Sequence, residues 1–305
     1  MASLDDRHRP GVVRGGRSCG NPAAGRFGPG RFSLAAAAKA GQSGAVLRPS
    51  THAALALLLA AVWSTLALGI LHAAGPVWSL SPPATCLGSH CFCELPRTGQ
   101  LLLQPANTVS SLGFVIVGAW IMLDAVNAGG RALGVASTLL MGLCAIVIGV
   151  GSVLLHATLT LWGQFADVVG MYLLGSFLIT WALRRVLGCS DAVAAVVYVA
   201  LAGLCILLLW IAPETRRWLF AVVLVTAIAL EWWLARPRRP GVVPPLFLAG
   251  LLANTVAFAL WILDQTRIVC AADSWWQGHA AWHLLGAVAV ACSFAYFRGE
   301  VTRPA

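Results

Sequence analysis

Two histidines four residues apart carry the strongest chemical signal in the chain: His279 and His283, in the run Gly278-His-Ala-Ala-Trp-His283. On a helix that interval is about 40° of rotation and one turn of rise, so both imidazoles leave one face. Two neutral imidazoles so placed can grip one zinc ion. An earlier group has the same interval, Ser152 and His156 in Gly151-Ser-Val-Leu-Leu-His156, and Asp167 follows in Gln164-Phe-Ala-Asp167. Three histidines plus an open position make a catalytic zinc arrangement, as opposed to a closed structural one. Such a metal lowers the pKa of bound water toward ~7 and polarises a carbonyl. Asp167 would accept the water's proton and pass it to the leaving group, and Ser152 would donate to the developing oxyanion. Ser152 as a nucleophile is less attractive, since no histidine is left to act as its base. The chemistry expected is hydrolysis of an amide or ester.

The elements that must position these residues are membrane helices. Of 305 residues, 59% are hydrophobic and 10% charged, against roughly a quarter charged in a soluble domain. That composition excludes a soluble enzyme, a nucleic-acid binder and a disordered protein. It points to an all-α integral, multi-pass membrane protein whose substrate arrives from lipid. With about 20 apolar residues needed per span, eight spans are expected: 52–74, 107–124, 133–158, 164–183, 192–211, 217–235, 244–263 and 279–297. The apolar run 133–183 is two spans long and must fold as a hairpin, with Thr158, Thr160 and Gly163 marking a turn near residue 161. His156 and Asp167 then lie at one depth, near the end from which the His279/His283 helix also begins. Ionisable groups within spans are costly and mark function by default. They are His156, Asp167, Glu231, Asp264, His279 and His283. Glu231, next to Trp232 and Trp233 and close to Arg236–Arg239, reads as a snorkelling interfacial partner. No pair of broken helices occurs at matching positions in two halves, which argues against a transporter.

Residues 1–50 are rich in Arg, Gly and Ala without apolar periodicity and read as a disordered basic tail. The expected organisation is that tail, a helix over 51–75, a helical domain over 76–298 and a short tail over 299–305. With the N-terminus inside, 16 Lys and Arg fall on the inner side and four (Arg97, Arg216, Arg217 and Arg267) on the outer. This asymmetry predicts both termini in the cytoplasm and the site near the outer face, with Arg216/Arg217 as the local violation. A bacterial inner membrane fits that pattern. Cys86, Cys91, Cys93 and Cys270 fall in outer loops, where oxidation is permitted, while Cys144, Cys205 and Cys292 serve as small apolar filler within spans.

Ser152-x3-His156, Asp167 eleven residues on, and the late His279-x3-His283 resemble the alkaline ceramidase family, within the CREST group of membrane hydrolases. Cys93-Glu94, Asn107-Thr-Val-Ser110, Asp264 as a supporting polar residue, and Cys270 agree in order, so the resemblance covers about 86–297. It implies a seven-helix transmembrane bundle, to which the first helix is an addition. It implies zinc on His156, His279 and His283, with Ser152 and Asp167 catalytic. The implied reaction is hydrolysis of ceramide, or a related N-acyl lipid, to a free base and a fatty acid. It further implies a disulfide from an outer cysteine near the first motif to one before the last helix. Cys93 and Cys270 match, with Cys86 and Cys91 left as alternatives. An acidic calcium cluster is also implied. Here its positions are Glu94, Gln104 and Asn107, and with one carboxylate such a site binds calcium weakly. Two other readings remain: a zinc hydrolase acting on another acyl lipid, and a non-enzymatic receptor or assembly protein of the same superfamily. No obligatory protein partner is evident.

Overall fold

Among the described residues eight long helices follow one another in chain order: α1 Pro49–Ala73, α2 Pro105–Asp124, α3 Val135–Thr158, α4 Leu161–Leu187, α5 Asp191–Ile211, α6 Arg216–Ala229, α7 Pro244–Gln265 and α8 Gly278–Arg298. The structure, a computed structural model, describes residues 49–73, 81–87, 92–129, 131–235 and 241–300. Each helix is as long as its apolar run. The shortest, α6, is extended by a 3-10 turn over Pro213–Thr215 and a π-helical stretch over Leu230–Ala235. With those extensions all eight are long and apolar enough to cross a membrane. The fold is thus an all-α, multi-pass membrane architecture, with the expected spans met to within a few residues. The basic tail lies outside the described residues, except that Pro49 and Ser50 already belong to α1.

Local chemistry sets several helix ends. Proline opens α2 and α7, where its missing N–H costs nothing. The Ser190 hydroxyl accepts from Val193 N–H at the start of α5, and Gly188 closes α4 in the left-handed conformation. The α3–α4 turn comes at residues 159–160, slightly earlier than the sequence suggests. Leu159 is left-handed (φ 49°) despite its Cβ, and the Thr160 hydroxyl accepts from Gly163 N–H. A non-glycine residue holds that conformation only when its surroundings fix it. They do so here: Ala84 N–H donates to Leu159 O at 2.8 Å, and Leu161 N–H donates to Pro82 O at 2.8 Å. Gly163 is therefore inside α4, not in the turn.

The main core lies among α2, α3, α4 and α8, around Phe114, Ile121, Met141, Phe177, Trp181 and Phe294. α7 packs along α8, and α5 and α6 pack on α4. α6 and α7 lack close backbone packing and meet through side chains, Phe220 against Phe258 and Arg217 against Trp261 and Gln265. α1 docks on α2, and its Leu71, 1% exposed, packs against Val153 and Ala157, the neighbours of Ser152 and His156.

One sequence expectation is corrected at the end of the bundle away from the histidines. Glu231 does not snorkel beside Arg236–Arg239, which lie outside the described residues. It is 4% exposed and ion-paired with Arg185 of α4, and it accepts from the Tyr296 hydroxyl at 2.7 Å. Arg185 also pairs with Glu300 at 3.0 Å and lies over the Phe297 ring. The π-helical turn carries the Glu231 carboxylate inward to this network.

Candidate metal centre

His156 occupies the last turn of α3, and His279 and His283 the first two turns of α8. The structure brings all three together. Their ring centroids are 4.9, 5.1 and 4.5 Å apart, and one nitrogen from each falls within 4.8 Å of the others. Among the described residues this is the group of three or more His, Cys, Asp or Glu side chains placed to hold an ion, and all three are buried.

The hydrogen bonds at the back of the rings decide which nitrogen faces inward. His156 Nδ1 lies 2.8 Å from Gln104 Oε1, a pure acceptor whose amide nitrogen meanwhile donates to Glu94 O. His156 Nδ1 must therefore carry the proton, which leaves Nε2 as a bare lone pair. His283 Nδ1 lies 2.9 Å from Ser110 Oγ and 3.3 Å from Ser111 Oγ. Both hydroxyls spend their single protons on Asn107 O, at 3.0 and 2.7 Å. They can only accept from His283, so its Nε2 is bare as well. His279 Nε2 stands 3.1 Å from His156 Nε2, and His279 Nδ1 has no hydrogen-bond partner. Two ligands ~2.05 Å from a tetrahedral zinc would be about 3.3 Å apart. The inward lone pairs and anchored outer nitrogens of His156 and His283, with this spacing to His279, fit a zinc site of three histidines.

Ser152 and Asp167 border the same centre. The Ser152 hydroxyl lies 3.1 Å from His283 Nε2, and Asp167 lines the cavity beside it. This approach of α3 to α4 depends on Gly151, where an added Cβ would sit 2.5 Å from Ala166 O. The start of α8 is held the same way, since a Cβ on Gly278 would lie 2.6 Å from Leu260 O. Asp264, at the end of α7, accepts from His279 N–H and Cys93 N–H, each at 3.0 Å. It thus ties the histidine helix to the loop before α2. That loop is also covalently tied, because Cys93 and Cys270 form a disulfide; Cys86 is disulfide-bonded too. Phe92 closes the centre, its ring 4.6 Å from His156 and 4.2 Å from His279.

Two of the three residues considered for calcium are otherwise engaged. Glu94 Oε1 and Oε2 accept from Ala106 and Asn107 N–H at 2.8 and 2.9 Å, capping the start of α2. Burial pushes the Glu94 carboxyl above its ordinary value, and those two amides partly offset the rise. With Gln104 Oε1 held by His156, the side chain of Asn107 is the uncommitted member. Calcium takes six to eight oxygens, so this donor set does not fit it. Sequence spacing did not reveal that Gln104 and the Ser110/Ser111 pair back the histidines. Their polarity within an apolar helix start was the available signal.

A cavity of about 670 Å³ runs from the histidines along α4, α6, α7 and α8 to Glu231 and Phe297. Its wall includes Ser152, Asp167, His279 and His283 at one end, and Met171, Leu174, Leu224, Phe258 and Val290 along its length. Lined in this way, it suits an alkyl chain with its polar end at the metal centre. A search of the curated proteins finds no match. The ceramidase family model matches residues 101–301, which takes in α2 to α8 and leaves α1 outside. On that match the chain belongs to the ceramidase family of lipid amide hydrolases.

Proposed function

We propose that the protein is a zinc-dependent amidase that cleaves ceramide or a related N-acyl lipid within the membrane. The observation that carries this reading is the set of three buried imidazoles, two of them anchored through their outer nitrogens, next to Ser152 and Asp167 at the head of an apolar cavity. His156, His279 and His283 would hold the ion, which supplies Lewis acidity toward water and an acyl oxygen. The other steps belong to the chain. The cavity holds the lipid's chain while excluding water. Once the His283 Nε2 lone pair is engaged, the Ser152 hydroxyl keeps its proton for the amide oxygen, whose negative charge grows as water attacks. An Asp167 carboxylate oxygen takes the proton from that water and delivers it to the leaving nitrogen. The C–O bond forms, the C–N bond breaks, and a fatty acid and a free amine leave.

The location that follows from the basic residues is a membrane with both termini in the cytoplasm and this centre toward the outer face. Purified protein should be given ceramide, N-acyl amino lipids and glycerolipids in turn, with products followed by mass spectrometry. Release of fatty acid from amides in a zinc-dependent manner supports the reading. Release from glycerolipid esters alone moves the substrate to another acyl lipid. If no lipid is cleaved and Ser152→Ala keeps the protein's cellular function, a receptor role replaces the enzyme.

A further inference from the structure

The cavity mouth is more basic than the proposed reaction needs. Arg216 and Arg217 line the cavity with Trp218 and Trp261, at the end that holds His279. They are two of the four Lys or Arg residues that the charge asymmetry places on the outer side, and the local violation of that asymmetry. Arg217 is exposed, its guanidinium lies 5.6 Å over the Trp261 ring, and Nη2 donates to Gln265 Oε1 at 3.2 Å. Among the described residues it has no carboxylate within ion-pair distance. Arg216 donates to Pro213 O at 3.1 Å and has an exposed Glu214 at 3.5 Å. Each guanidinium carries five N–H donors, so most of them are unspent.

The stacked Trp261 and the Gln265 bond hold the Arg217 fork in place before any ligand arrives. A planar fork fixed in this way suits a carboxylate or phosphate, which it can bind through two parallel hydrogen bonds. A snorkelling arginine that met only bulk headgroups would have no reason to line the cavity.

Resting on the amidase reading above, we propose that Arg216 and Arg217 read an anionic group on the substrate head. The preferred substrate would then be an N-acyl lipid bearing a carboxylate or a phosphate next to the amide-linked portion. A neutral head leaves the unspent donors of both guanidiniums unused and forgoes the charge-assisted bonds.

The test compares matched palmitoyl amides on the purified, zinc-loaded full chain: ceramide and N-palmitoylethanolamine as neutral heads, N-palmitoylglycine for a carboxylate and ceramide 1-phosphate for a phosphate. The reading is the anionic-to-neutral ratio of kcat/KM within each variant. Wild type should favour an anion by about tenfold or more, given the strength of charge-assisted hydrogen bonds. Arg217→Gln should reduce that ratio, and Arg217→Glu should invert it. Whichever of the two anions gains most identifies the group. A wild-type ratio near one, unmoved by either variant, overturns the proposal while leaving the amidase intact. Binding of dodecyl phosphate, N-dodecanoylglycine and dodecanol, followed by tryptophan fluorescence, separates the two ideas further. Anions that bind more tightly to wild type than to Arg217→Glu support the proposal even if no amide is cleaved, an outcome that would sink the amidase reading alone. Equal binding of all three probes overturns it.

Discussion

The two ends of this bundle bury polar groups in different ways. At one end Arg185 meets Glu231 and Glu300, Tyr296 donates to Glu231, and aromatic rings cover the guanidinium. That cluster pairs its charges internally. At the other end three imidazoles turn their inner nitrogens toward one another, and the nearest hydroxyl and carboxylate stand at the edge of a cavity. Here two of the three rings are fixed from behind, His156 by Gln104 and His283 by Ser110. Buried polar groups that satisfy each other hold helices together. Groups whose backs are fixed and whose fronts are bare are arranged for something that binds.

Substitutions should separate the two ends. His156→Ala should reduce lipid hydrolysis to background, measured as fatty-acid release, while the protein still folds with its Arg185 cluster intact. Asp167→Asn should lower kcat by about 10²–10⁴-fold, the range for loss of a positioned acid–base group, with zinc content unchanged. Arg185→Met at the opposite end removes the charge partner of the buried Glu231 and should cost about 3–5 kcal/mol of stability. Thermal unfolding in detergent would show that loss, and zinc stoichiometry should not move. Gln104→Leu removes the acceptor behind His156 and should weaken zinc binding by about 10–100-fold, read by competition with a chelator. A variant at the arginine end that lost zinc, or one at the histidine end that lost stability and kept zinc, would erase the distinction.

Much of this arrangement can be read from the chain, because the membrane makes length and polarity informative. Each span is visible as an apolar run, and each ionisable residue inside one is conspicuous. The hairpin expected from the sequence forms, but with its turn at Leu159 and Thr160 it sets Asp167 level with Gly151 and Ser152, about one helical turn deeper than His156. The residues missed share a cause. Glu231 sits in sequence beside aromatic and basic residues, yet its partner is Arg185, 46 positions earlier on another helix. Gln104 and Ser110 act through the rotation of α2 against α3 and α8, which no local spacing encodes. The signal at Arg216 and Arg217 was present as a breach of the charge rule, but only the cavity wall gives it a use.

Metal analysis of the purified chain, with His279→Ala alongside, tests the central claim most directly. The account predicts about one zinc per wild-type chain, none above background in the variant, and hydrolysis that is lost on chelation and returns with added zinc. Wild-type protein that holds no zinc and still cleaves its lipid at full rate would contradict it.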